Sequence, residues 1–354
     1  MTGPALLPLG APPLLNVAVL GYGYWGVNVA RAMREGGLRI SGVYDPDGDR
    51  AARAMVAGHH YASTVEAAIR ECDAVAVCAP PDEHADLVAS AIDAGKHVWV
   101  EKPIAPNADA TAELLARARA AKRVLFVDHT FAFAPAVQAL AREVRGAGMV
   151  RHVEAARTHL CAPRASADVI GDLLPHDASI WIACELRVKR VRAVQDYLDA
   201  RVSVEFDQGA TGSLYLSWSS ALKLRRTTVY ASKATVLYDH LDPREPVRVY
   251  AVTGAEAERA AFAQVESRSP VVPALEPLAV AVRTFARLIA DGDAGLAESE
   301  AFADDALRVQ AVVDAARESA RCGGRDVEVA ECFDEPPVAA SDHATAARAE
   351  VLPT

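Results

Sequence analysis

The chain has 354 residues and a mass of 37.5 kDa, enough for two domains with separate cores. Hydrophobic residues make up 51% and charged residues 24%, the balance of a folded soluble protein and not of a disordered one. A formal charge of −10 argues against a nucleic-acid surface, which needs clustered basic charge to neutralise phosphates.

The start, MTGPALLPLGAPPLLN, has no basic n-region and is broken by prolines, so residues 1–14 read as an extension and not as a signal peptide. No apolar run approaches the ~20 residues that span a bilayer. Cys72, Cys78, Cys161, Cys184, Cys322 and Cys332 show no CxxC pair or zinc-like spacing. They read as reduced thiols of a cytoplasmic protein, and no metal site is expected.

From Leu15 to about Phe131, short β-rich runs alternate with helical stretches. NVAVLG, RISGVYD, AVAVCAP, HVWVEKP and VLFVDH read as strands, with amphipathic helices between them. Such repeats imply an α/β domain, a parallel sheet with helices on both faces, over residues 15–133. After Pro135 the pattern changes. One helix leads to the strand VRHVEAARTHL, then to a helix near VIGDLLPHDASIWIAC. RVRAVQDYL, RVSVEFDQG, TGSLYLSWS, RTTVYASK and TVLYDHL then follow as strands without helices between them. This predicts an α+β domain with a mainly antiparallel sheet over 134–330, closed by two helices, before a loose tail at 331–354.

The first strand runs into GYGYWG, which places Gly21, Gly23 and Gly26 as G-x-G-x-x-G between strand and helix. The first glycine permits a tight turn, the second lets the backbone approach a pyrophosphate, and the third lets helix and strand pack closely. Asp45 ends the second strand. There it either accepts hydrogen bonds from adenosine ribose hydroxyls or caps the turn DPDGD. The ribose reading favours NAD, because a carboxylate repels a 2′-phosphate; nearby Arg50 keeps NADP open.

Lys102 follows the strand VWVE and precedes Pro103, at the sheet edge where α/β proteins bind ligands. A surface lysine closing a loop is the plainer reading. Asp172 and His176 are four residues apart, on one face of a helix. A carboxylate beside an imidazole fixes its tautomer and suits proton removal from an alcohol. In the alternative, Asp172 is a helix cap and His176 an ordinary polar residue. His59, His60 and His240 have no metal-like partners and receive no role.

Together GYGYWG, Asp45, APPDEHADL, EKP at 101–103 and the Asp172/His176 helix resemble the Gfo/Idh/MocA family of NAD(P)-dependent oxidoreductases. VDHTFAFAPAV, GDLLPHDASI, SWSSALKLRRTTVYASKATVLYDHLDP and EPLAVAVRTF resemble its nucleotide-sugar and sugar dehydrogenase or ketoreductase subgroup. The resemblance runs from about Val17 to Val329. It implies an N-terminal Rossmann domain and a C-terminal domain whose open sheet joins subunits as a homodimer or homotetramer. It also implies catalytic roles for Lys102, often followed by a cis-proline, and for Asp172 and His176 facing it across the nicotinamide. Tyr22, Tyr24 and Trp25 of the glycine turn, with Ala79, Pro80, His84, Glu101 and His129, would line the cofactor. His159 would reach the substrate. Leu174, Asp128 and Ala281 depart from the subgroup's usual residues, Asp128 adding a charge near the cofactor.

The expected reaction is reversible hydride transfer between NAD(P) and a secondary alcohol or ketone of a sugar. A nucleotide-linked sugar of polysaccharide or natural-product biosynthesis is the favoured substrate. The competing readings are a glycosidase that oxidises its sugar transiently, an imine reductase on the same scaffold, and an NAD-sensing binding protein.

Overall fold

In the computed structural model, which describes residues 15–163, 167–251 and 266–330, the strand–helix alternation of the first third becomes a five-stranded sheet. The expected N-terminal extension and C-terminal tail, with Cys332, lie outside the described residues. In chain order the elements are β1 (Asn16–Leu20), α1 (Tyr24–Glu35), β2 (Arg39–Tyr44), α2 (Gly48–Val56), α3 (Val65–Arg70), β3 (Ala74–Val77), α4 (His84–Asp93), β4 (His97–Glu101), α5 (Ala108–Ala121) and β5 (Leu125–Asp128). The strands are all parallel, in the order β2-β1-β3-β4-β5. Val17–Leu20, Ala74–Val77 and Val98–Val100 are buried without alternation, as strands covered on both faces must be. Gly95 follows α4 with φ +71°, the left-handed position that the stretch AIDAG predicts.

One helix escapes the sequence reading. The segment after Asp45 reads as a turn, yet α2 forms there with Asp47 as its N-cap. Its buried face is only Ala51 and Ala54, while Met55 and Val56 point to solvent, so the apolar period is too weak to see.

The remaining elements are α6 (Pro135–Gly146), β6 (Val150–Leu160), α7 (Val169–Ala183), β7 (Val188–Gln195), β8 (Asp199–Phe206), β9 (Thr211–Ser217), β10 (Ser219–Ala231), β11 (Ala234–Asp239), β12 (Val247–Ala251), β13 (Ser267–Arg268), α8 (Pro277–Ala290), α9 (Gly292–Arg321) and β14 (Val327–Glu328). Among the described residues nine strands form a second sheet in the order β13-β12-β11-β10-β6-β9-β8-β7-β14. Every pairing is antiparallel except β6 with β9. Alternate residues of the strands, such as Val202, Val204 and Phe206 or Val229 and Ala231, face the core under α6 and α7.

Packing divides the chain differently from a single cut at 133/134. Among the described positions, residues 15–130 group with 275–308, and 131–163, 167–251 and 266–274 group with 309–330. The reason lies in α8. Phe285 packs against Trp99 and Phe126, at centroid distances of 5.7 and 5.8 Å, and Glu276 receives a hydrogen bond of 2.6 Å from Arg31. Helix α8 and the first half of α9 therefore complete the dinucleotide-type unit. No helix among the described residues is long and apolar enough to cross a membrane.

Candidate active site

The glycine turn after β1 shows which of its glycines the protein itself requires. Gly21 has φ +94°, and a Cβ on it would stand 2.6 Å from backbone atoms of Cys78 and Ala79. A Cβ on Gly26 would meet the Gly21 carbonyl at 2.1 Å. Gly23 is different: its φ of −71° suits any residue, and a Cβ would meet only the Arg50 side chain at 3.8 Å. That opening lies at the N-cap of α1, which no side chain caps and whose first turn has no acidic residue. Open space beside an uncapped helix N-terminus fits a pyrophosphate. The cradle and its donors thus suit a dinucleotide.

Asp45 is buried, and its Oδ2 accepts the Tyr22 amide at 2.7 Å while Oδ1 accepts the Asp47 amide at 2.9 Å. It therefore braces the glycine turn and also the turn that leads into α2. Arg50 approaches its Oδ2 at 3.8 Å.

At the ends of β3, β4 and β5 a second group gathers. The Lys102–Pro103 bond is cis. His84, fully buried at the start of α4, spans the two neighbouring loops, with ring nitrogens 2.8 Å from the Ala79 oxygen and 2.7 Å from the Pro103 oxygen. It ties the Ala79–Pro80 turn to the loop carrying Lys102. Glu101 accepts a hydrogen bond from the Trp25 indole, joining the glycine turn to β4. Glu101 also lies opposite Asp128 in the sheet register.

The Glu101 carboxyl is pushed well above its usual range, by burial first and then by Asp128. Asp128, 1% exposed, is raised by burial to about 7. The expectation of one added charge is thus corrected: two adjoining carboxyls hold a proton near neutrality, because two desolvated negative charges repel. Beside them, burial and the Lys102 ammonium lower His129 to about 4, which leaves a neutral imidazole.

In the other unit, α7 carries Asp172 and His176. Asp168 is the N-cap, accepting the Gly171 amide at 2.8 Å, and Arg317 holds its second oxygen at 2.8 Å. Asp172 is not the cap. It is buried one turn inside the helix and accepts a hydrogen bond from the Trp218 indole at 3.1 Å. Along Gly171–Ile180 every residue is buried except His176, which is half-buried. Its ring meets the edge of Phe131 at 5.1 Å. His159 is half-buried on β6, on the strand face that also carries Arg157. Among the described residues no group of His, Cys, Asp and Glu is placed to hold a metal ion.

Residues 15–129 match the model of the Gfo/Idh/MocA oxidoreductase family, described as an NAD-binding Rossmann fold. The match begins one residue before β1 and ends just past Asp128. These residues are a Gfo/Idh/MocA domain. UDP-N-acetylglucosamine 3-dehydrogenase of Acidithiobacillus ferrooxidans is 26% identical over 291 residues, which is 78% of this chain and 90% of that one. Its solved structure aligns with a TM-score of 0.75 at 24% identity, over 87% of this chain and 98% of that chain. Levoglucosan dehydrogenase, solved with NADH and levoglucosan, shares the fold at a TM-score of 0.76 and 17% identity, over 90% and 100% of the two chains. Inositol 2-dehydrogenase of Paracoccus denitrificans is 29% identical over 202 residues, 53% of this chain and 57% of that one.

Four residues that no local pattern marks gather around His176. Phe131 is the hub. The Arg157 guanidinium stacks on its ring at 4.4 Å and Arg225 at 5.6 Å, and the His240 ring meets it at 4.9 Å. Arg157 is spent on Asp177, at 2.6 Å and with both side chains buried. Burial, with Arg225 and Arg157, lowers His240 to about 4, and its Nδ1 shares a hydrogen bond of 3.1 Å with the Tyr238 hydroxyl. Strand alternation put Arg157 and Arg225 on inward positions, but their pairing is set by a β6–β10 register that spans 68 residues of chain.

Proposed function

We propose that this oxidoreductase transfers a hydride between NAD and a secondary alcohol or ketone of a sugar, with a nucleotide-linked sugar as the preferred substrate. The observation that carries the reading is His176, the one side chain that is not fully buried along the Gly171–Ile180 stretch of α7. A helix that buries a proline and two carboxylates while leaving one imidazole accessible is built to present that imidazole.

Gly21, Gly23 and Gly26 hold the pyrophosphate, Asp45 the ribose, and Tyr22, Tyr24, Trp25, Ala79, Pro80, His84, Glu101 and His129 the rest of the cofactor. Bound NAD supplies the hydride acceptor in oxidation and, as NADH, the donor in reduction. His176, oriented by Asp172, takes the alcohol proton as the carbinol carbon loses hydride, and returns it in reduction. Lys102 donates a hydrogen bond to the reacting oxygen and stabilises the alkoxide as it develops. His159 contacts the substrate. The similarity to UDP-N-acetylglucosamine 3-dehydrogenase and to dehydrogenases of anhydrosugars and cyclitols supports the substrate class.

The test is a panel of nucleotide sugars, free sugars and cyclitols with NAD, followed at the NADH absorbance. Turnover of at least one sugar is expected. Turnover of an imine with no response from any sugar overturns the substrate class, and aglycone release without net NADH moves the reading to a glycosidase. We also propose that the outward face of the nine-stranded sheet joins copies of the chain into a homodimer or homotetramer of a cytoplasmic enzyme. Light scattering that returns a monomer mass removes that part.

A further inference from the structure

Arg225 stands opposite Arg157 in the β6–β10 register, two guanidinium groups on adjacent strands facing the same way. One carboxylate, Asp177, acts on both charges, but it bonds to Arg157. Among the described residues no carboxylate forms an ion pair with Arg225, and no acceptor receives a hydrogen bond from its guanidinium. The guanidinium lies over the face of Phe131, 5.6 Å from the ring centroid. The cation is half-buried, and burial followed by the Arg157 charge disfavours its protonated form.

The groups around it do not supply the missing anion. His240, at the end of β11, is kept neutral by burial and by the positive field. Lys223, two residues earlier on β10, adds to that field. Asp239 is engaged by Arg226 at 2.6 Å on the other side of the strand. Desolvating a guanidinium without a bonded anion is unfavourable, and an anionic ligand group would relieve that cost. Arg is also the side chain whose planar fork matches carboxylates and phosphates. Phe131 completes the geometry, because the ring that carries Arg225 also touches His176.

We propose that Arg225 binds an acidic substituent of the substrate, a carboxylate or a phosphate, and so selects an anionic sugar for the carbon presented to His176. The inference rests on the sugar-oxidoreductase reading above and narrows it. The partner of the arginine is on the ligand: a uronate carboxylate and a nucleotide diphosphate share the required chemistry. Arg157 keeps its own carboxylate and serves as the fixed wall behind Arg225. Arg225 is a specificity residue, and the hydride and proton transfers proceed without it.

The experiment is calorimetric titration of the full chain, loaded with NADH, with glucuronate, uridine diphosphate and glucose as separate probes. Wild type is expected to bind one of the two anions at least ~10-fold more tightly than glucose, as a charge-assisted hydrogen bond requires. Tighter glucuronate names the carboxylate as the ligand group, and tighter uridine diphosphate names the phosphate. In Arg225→Gln the preference should fall by ~10- to 100-fold, while glucose binding stays as in wild type. Arg225→Lys should recover part of it, since the charge remains and the fork is lost. The Tm of Arg225→Gln should hold or rise, because a like charge beside Arg157 is removed; a structural arginine would lower it. Equal binding of all three probes, or an anion preference that survives Arg225→Gln, overturns the inference and leaves the oxidoreductase reading standing. Arg225-dependent anion binding without turnover of any sugar upholds the inference and removes that reading instead.

Discussion

Asp128 and Glu101 occupy the same rung of the parallel sheet, at the ends of β4 and β5. The sequence showed Asp128 as a charge where the subgroup has glycine. It could not show the partner, because the rung depends on the β4–β5 register. The consequence is a pH dependence with a definite sign. A carboxyl raised to about 7 binds its proton more tightly folded than unfolded, so its stabilising contribution is complete below the ordinary carboxyl range. That contribution is lost as the pH rises from about 4 through about 7. Asp128→Asn keeps the shape and removes the titration. It should raise the Tm at pH 8, by an amount equivalent to ~1–3 kcal/mol, and change it less at pH 5. Thermal melts of both proteins at the two pH values check this; an equal shift at both would show that no proton is shared.

At the scale of elements, the glycine turn separates fold from function. Its position between strand and helix was legible from GYGYWG alone, because the three glycines answer local steric demands. Which glycine serves the chain and which the ligand was not legible. Gly21→Ala should cost the fold ~2 kcal/mol or more, since φ +94° and a 2.6 Å approach to the Cys78–Ala79 backbone forbid the methyl. Gly23→Ala should leave stability within ~0.5 kcal/mol. It should nonetheless weaken NADH binding ~10-fold or more, because it fills only the opening left beside α1. Chemical denaturation and NADH fluorescence titration separate the two effects. A Gly23→Ala protein that binds NADH normally would move the pyrophosphate elsewhere. Helix α7 gives the same lesson: spacing placed Asp172 and His176 on one face, while the cap proved to be Asp168, which no periodicity marks.

For the molecule as a whole, sequence periodicity gave two sheets of the right kind but cut the chain once. The boundary is discontinuous because α8 buries Phe285 against Trp99 and Phe126, partners more than 150 residues away. Long-range packing of this sort leaves no trace in local pattern. The same holds for Phe131, Arg157, Arg225 and His240, which come from four segments and meet only through long-range packing. By contrast Lys102, Glu101 and Pro103 were readable, because a strand end followed by a polar triplet is a local signal. The proposed reaction draws on Lys102 and His176. Its most direct test is steady-state kinetics of Lys102→Ala and His176→Ala on a sugar that the wild type turns over, with NADH affinity measured in parallel. Each variant should lose ~10²–10⁴ in kcat while binding NADH as the wild type does. Wild-type kcat in both variants would contradict the account.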